Sequence, residues 1–211
     1  MKHNVIVGIA AAAFLVFCSI AMLGAAQGRA GDKDNEGRAG EINAQEDRET
    51  ASRIQTGFDY AKKQGITLDL KGKNRSLVGL GSYLVNAVGG CNDCHTSPPF
   101  TKDPYAALGA PKQINVDCYL AGGTPFGPPG PGTPVSRDIT PFEDGKPAGL
   151  TLAQFVHVIR TGEDPDNPGM VLEVMPWPVY QEMTDRDLRA IYEYLSSIPA
   201  IPVNTCGVPS E

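Results

Sequence analysis

An all-α domain of modest size is the fold this sequence predicts, and three observations carry that expectation. Apolar residues recur at helical spacing in three stretches, and two-residue alternation is confined to one short run. Eighteen prolines and 24 glycines among 211 residues then supply long irregular segments between the helices. This length bounds the chain to one domain with appendages, or two small domains. A formal net charge of -6 argues against nucleic acid or an anionic membrane surface as partner. Five cysteines are too few for a disulfide scaffold.

The N-terminus reads as a targeting segment. Lys2 and His3 precede an uncharged stretch over residues 5–26 that ends in Gly24-Ala25-Ala26. The small residues fit a signal-peptidase site after Ala26, while the stretch is also long enough to span a bilayer as an uncleaved anchor. Both readings of residues 1–26 place the rest of the chain outside the cytoplasm, in the periplasm or an equivalent oxidising compartment. Residues 27–75 form a polar linker. Composition makes residues 28–40 a flexible tether. Residues 41–64 could form a helix, with Ile54, Phe58 and Ala61 as a narrow stripe able to dock. Ile66, Leu68 and Leu70 alternate like a short strand.

The core domain is expected over residues 76–203, with a tail over 204–211. Leu77, Leu80, Leu84 and Val88 define its first helix, which Gly89-Gly90 ends. Pro98-Pro99 stops any helix beyond His95. Residues 100–147 read as one long loop rich in proline and glycine, unusual unless it serves function, such as walling a crevice. Thr151 caps a second helix carrying Leu152, Phe155, Val156 and Ile159, which Thr161-Gly162 closes. Thr184 caps the last one. Asp185 and Asp187 sit in its first turn, where carboxylates suit the helix dipole, and Leu188, Ile191, Tyr192 and Leu195 form its buried stripe.

Between the first two helices lies Cys91-Asn92-Asp93-Cys94-His95. Two thiols three residues apart lie on one side of a helical turn, where both can add to the vinyl groups of a single porphyrin. The histidine that follows can then ligate the iron from below. A Cys-x-x-Cys pair alone also suits a thioredoxin-like dithiol or half of a zinc site. The dithiol wants a strand-rich α/β setting and zinc a second ligand pair, and neither is visible. One covalently bound haem c, held by Cys91, Cys94 and His95, is the reading that uses all three side chains.

The opposite axial position has few candidates. His157 falls off the apolar face of its helix, Met183 directly precedes a helix cap, and Met170 follows the turn Pro168-Gly169. Met175 stands in Val174-Met175-Pro176-Trp177-Pro178, where two prolines stiffen the backbone and can hold a thioether at a fixed place. Ligation by His95 and Met175 leaves no open site on iron and raises its reduction potential, which points to electron transfer rather than oxygen chemistry.

Together these segments resemble the class I c-type cytochromes, and among them the cytochrome c domains of bacterial alcohol dehydrogenase cytochrome subunits. The likeness runs from Gly81-Ser82-Tyr83-Leu84 and the haem motif through Leu120-Ala121-Gly122-Gly123 to Ser136-Arg137-Asp138-Ile139-Thr140-Pro141. It continues with Gln154-Phe155, Arg160-Thr161-Gly162, Met175-Pro176-Trp177 and Met183-Thr184-Asp185. The resemblance implies a monohaem cytochrome c-like helical domain wrapped around its cofactor, with Met175 as distal ligand. It also implies that the helix before the motif crosses the C-terminal helix, Gly81 permitting close approach. Those subunits usually string several such domains together, whereas this chain has one motif.

Cys118 and Cys206 remain, and an unassigned pair in an oxidising compartment is most simply a disulfide. Two free thiols, or Cys118 as an unusual ligand, are the alternatives. The function expected is that of a single-electron carrier, not an enzyme, exchanging electrons with a dehydrogenase, an oxidase or another cytochrome. Membrane contact would come only through an uncleaved N-terminal segment. Alternatives are the haem subunit of a periplasmic dehydrogenase complex and a haem-based ligand sensor from which Met175 dissociates.

Overall fold

The computed structural model describes residues 10–128, 130–202, 205 and 206, and for residues 10–34 and 36 the backbone alone. Residues 1–9 of the expected leader, and most of the tail, lie outside the described residues. The described chain is mostly helical. Its α-helices are α1 (Ala10–Gln64), α2 (Arg75–Tyr83), α3 (Cys91–His95), α4 (Leu152–Thr161), α5 (Trp177–Tyr180) and α6 (Asp185–Leu195). A π turn, Leu84–Val88, continues α2. The strands β1 (Phe100–Lys102) and β2 (Gln113–Ile114) form one small antiparallel sheet. This composition is compatible with a cytochrome c-like helical fold.

The chain divides into two units, Met1–Glu49 and Thr50–Glu211. In the first, α1 takes in residues 28–40, for which composition predicts a tether. The glycines there stand singly among Ala, Arg, Lys and Glu, which favour helix, and each costs only about 1 kcal/mol relative to alanine. Exposed side chains line its described part from Gly37 to Glu49. No helix among the described residues is long and apolar enough to cross a membrane.

In the second unit, α2 is packed closely against two neighbours. A Cβ on Gly57 of α1 would collide with the carbonyl of Gly79, and Ile54 and Phe58 flank that glycine. The expected stripe therefore docks, and Ala61 is buried with it. On its other side α2 meets α6, where a Cβ on Gly81 would collide with the carbonyl of Ala190. This is the crossing that the resemblance implies. Both contacts bring backbone against backbone, which only glycine allows.

Buried polar groups tie these helices together. Ser82 Oγ donates to the Gly57 carbonyl at 2.7 Å. Asn86 Nδ2 donates to the Ser82 carbonyl at 2.9 Å and to Tyr194 Oη at 3.2 Å, while Tyr119 Oη donates to Asn86 Oδ1 at 2.6 Å. The Tyr119 and Tyr194 hydroxyls are 2.9 Å apart. Tyr60, brought in by α1, has a buried hydroxyl without a hydrogen-bond partner among the described residues. Around this network sit Val78, Leu80, Leu84, Val85, Leu120, Leu188, Ile191 and Leu195, all buried.

Two local expectations differ from what the fold contains. Ile66 is buried and Leu68 and Leu70 half-buried, but their segment pairs with no strand among the described residues; Asp69 N–H to the Ser197 carbonyl at 2.7 Å ties it to the distant C-terminal part, and Ile66 N–H to the Ala61 carbonyl at 2.9 Å ties it to α1. Alternation reports a half-buried extended chain, and a sheet needs a partner that sequence periodicity does not supply. Conversely, the long loop over residues 100–147 holds β1, β2 and a 3-10 turn, Val116–Cys118. Strands of two and three residues are too short to leave a periodic signal. Both later helices begin as expected, with capping boxes at Thr151 and Thr184.

Replacing Gly81 with alanine should cost about 1–3 kcal/mol, because the added methyl must push backbone apart; an unchanged urea midpoint would show that the crossing tolerates a side chain. The phenols supply a second test. Burial pushes Tyr119 and Tyr194 above the ordinary value of 10.0, and Tyr60 likewise. The folded state thus keeps protons that the unfolded chain releases above pH 10, so stability should be full below pH 10 and fall as pH rises beyond it. Thermal melts followed by circular dichroism across pH 8–11 would check this, and a melting temperature that stayed level would contradict it.

Candidate functional site

Gly90, in the left-handed conformation at φ 61°, turns the chain out of the π turn and into α3. That single turn carries Cys91, Cys94 and His95 together. Both cysteines are free thiols. Burial pushes Cys91 up to about 12, and burial together with the Asp93 carboxylate raises Cys94. Thiols held protonated at neutral pH are slow to exchange disulfides. Among the described residues, moreover, no three His, Cys, Asp or Glu side chains converge as a metal-ligand set.

His95 is aimed by a backbone carbonyl. Its Nδ1 lies 2.8 Å from the Arg137 carbonyl oxygen. A carbonyl can only accept, so Nδ1 carries the proton and Nε2 keeps its lone pair, the arrangement a metal-ligating imidazole needs. Burial lowers the His95 pKa, which favours the neutral ring. The loops around it are fastened to one another. Gly122 N–H donates to the His95 carbonyl at 2.7 Å and Leu120 N–H to Thr96 Oγ1 at 2.9 Å. Gly123 N–H reaches the Ser136 carbonyl at 2.9 Å, which fixes the strand of chain that presents Arg137. The Arg137 guanidinium bonds the Ala148 carbonyl at 3.0 Å and pairs with Asp166, and its buried Nε has no partner among the described residues.

Met175 lies elsewhere in sequence but is tied to the same region. Leu172 N–H donates to the Gly162 carbonyl at 2.8 Å, and Trp177 Nε1 donates to the Leu172 carbonyl at 3.2 Å. Gly162 caps α4 at φ 70°, and a Cβ there would strike the Trp177 ring. Met175, half-buried against the core, is held inside this fastening. From α5, Tyr180 Oη donates to the Gly89 carbonyl at 2.7 Å, two residues before Cys91. Burial and the neighbouring Cys91 and Cys94 push Tyr180 up to about 12.

The other axial candidates are placed differently. His157 is exposed, with Nε2 2.6 Å from Glu163, and Met170 is exposed as well. Met183 packs against the core beside α6. Cys118 and Cys206 are joined as a disulfide. Sequence reasoning left Tyr180 out entirely. It also gave Arg137 no role, because a backbone carbonyl used as an acceptor leaves no mark on residue type.

With this geometry in view, one likeness bears on how the chain is read. The chain is a distant relative of a cytochrome c subunit. Over 133 residues it is 32% identical to the cytochrome c subunit of the quinone alcohol dehydrogenase of Gluconobacter oxydans (strain 621H), a match covering 59% of this chain. It spans only 24% of that subunit's length. No family model matches the chain, and no solved structure does either.

The Gly162 contact can be tested through the chain's one tryptophan. Gly162→Ala strains a left-handed residue and displaces the Trp177 ring, so stability should fall by about 1–3 kcal/mol and Trp177 emission should change. Unaltered fluorescence at unaltered stability would mean that the ring is not clamped there.

Proposed function

We infer that this chain is an extracytoplasmic one-electron carrier that holds one haem c through thioether bonds from Cys91 and Cys94. His95 and Met175 would be its axial ligands. The observation that carries the reading is the pairing of two free thiols on one turn with an adjacent imidazole whose Nδ1–H is already committed to the Arg137 carbonyl. That donor set fits a porphyrin, which needs two covalent anchors and one correctly turned ring, and it fits a protein-only metal site poorly.

The haem, when bound, supplies an iron that cycles between Fe(III) and Fe(II). The chain's own residues do the rest. The Arg137 carbonyl keeps the His95 ring from rotating, Gly122 holds the His95 backbone, and Trp177 with Gly162 restrains the loop bearing Met175. Ligands held this firmly would move little between oxidation states, which favours fast transfer. The domain would occupy residues 76–203 with the docked part of α1 added, and residues 1–26 would be its export signal or anchor. Its partners would be a dehydrogenase, an oxidase or another cytochrome. The relative is a subunit of an alcohol dehydrogenase, which supports a second reading in which this chain is the haem subunit of such a complex.

Protein matured in a host competent for haem c attachment should gain the mass of one haem and keep its pigment in acidified acetone. Its ferric spectrum should contain a sulfur–iron charge-transfer band that Met175→Ala removes, while the potential falls by on the order of 0.1 V. Pigment extracted by acid acetone would end the covalent assignment. A high-spin wild-type spectrum would end the assignment of Met175.

A further inference from the structure

We propose that a cleft between the C-terminal end of α1 and the small sheet binds a small organic dicarboxylate. The cleft has a volume of about 340 Å³, within the range of small-molecule sites. Lys63 and Gln64 line it from α1, and Lys112, Gln113 and Ile114 from β2 and the residue before it. It does not rest on the electron-carrier reading. The resemblance to cytochrome domains begins at Gly81, so α1 brings to this cleft residues that lie outside that resemblance.

Hydrogen bonds between distant residues build its walls. Gln64 Nε2 donates to the Lys112 carbonyl at 3.1 Å, and Gln64 Oε1 accepts from Ile114 N–H at 3.3 Å. One side-chain amide thus grips the backbone on both sides of Gln113. Across the sheet, Thr101 Oγ1 donates to the Gln113 carbonyl at 3.4 Å. Lys112 Nζ stands over two aromatic rings, 5.6 Å from the Tyr60 centroid and 5.8 Å from that of Phe100. Their faces attract the ammonium and restrict where it can go. Walls fastened this way need little ordering when a ligand enters, which favours binding.

Charge and shape then select the ligand. The whole chain has a formal net charge of -6, yet no residue lining this cleft is acidic. Neither Lys63 nor Lys112 pairs with a carboxylate among the described residues, so both charges are available to an incoming anion. Pro111 and Ile114 add apolar wall between them. Two ammonium groups match two negative charges, and the apolar wall matches a carbon body joining them. An inorganic anion would leave that wall against water, and a neutral ligand would leave both lysines unused.

Equilibrium dialysis of the full chain against radiolabelled phthalate, a rigid aromatic dicarboxylate, tests this directly. One phthalate should bind per chain near 10 mM salt, and the affinity should fall as salt rises. Phthalamide, the same shape without charge, and sulfate, the same charge without a carbon body, should each compete at least tenfold more weakly. In K63Q/K112Q the phthalate affinity should drop about tenfold, whereas K63R/K112R keeps the charges and should stay within threefold of wild type. K71Q/R186Q removes two exposed cations from elsewhere on the surface and should change the affinity less than twofold. Lys63 and Lys112 are both exposed, so the variants should melt with the wild type, and circular dichroism checks that they do. No uptake of phthalate by the wild type would overturn the proposal, as would equal weakening in K63Q/K112Q and K71Q/R186Q. Sulfate competing as well as phthalate would reduce the cleft to a patch of positive charge and overturn it too. Because dialysis reads binding alone, a chain that bound phthalate yet took up no haem would keep this proposal and lose only the carrier reading.

Discussion

Close contact on two sides of α2 is the constraint on which the rest depends. Gly79 admits α1 and Gly81 admits α6, each at a distance where any side chain would meet a carbonyl. Because both neighbours approach backbone to backbone, Ser82 and Asn86 can reach Gly57 and Tyr194, and the buried network closes. A polar network in a low-dielectric interior is stable only when its members are satisfied, so helix spacing and hydrogen bonding enforce each other. The π turn that follows α2 then delivers Gly89 and Gly90 to one place, and α3 begins there.

From that fixed point the site is assembled by loops, which lack a regular ladder and need other fastenings. Thr96, Gly122, Gly123 and Ser136 form one set of bonds on the side of His95. Gly162, Leu172 and Trp177 form a second set around Met175, and Tyr180 joins it to the haem motif. The disulfide between Cys118 and Cys206 adds a covalent tie between the tail and the irregular middle of the chain. Irregular backbone persists here because most of its buried polar groups have been given specific partners. Polarity is also distributed along the chain, with basic residues gathered where α1 ends and carboxylates gathered around the apolar segment that holds Met175.

Much of this was legible in the residues themselves. The Cys-x-x-Cys-His motif needed no tertiary information to be noticed, since its three side chains share one turn. Helices α4 and α6 were legible because each pairs a cap, Thr151 or Thr184, with an apolar stripe, and α2 was legible from its stripe and the glycines that follow. The extended run Ile66, Leu68 and Leu70 misled because alternation records which side faces inward and says nothing of a neighbouring strand. The helix over residues 28–40 was missed because its glycines outweighed, in composition, the helix formers between them.

By itself, then, the sequence determined the candidate attachment residues, the caps of α4 and α6 and the pool from which a distal ligand could be drawn. Those properties are local: they depend on residues within a turn or two of one another. Tertiary structure alone decided which carbonyl turns the His95 ring, that Tyr180 fastens the Met175 segment to Gly89, and that α1 joins the core through Gly57. Each is a contact between distant parts of the chain in which one partner is backbone, common to every residue, so the amino-acid order holds no sign of it until the fold has formed.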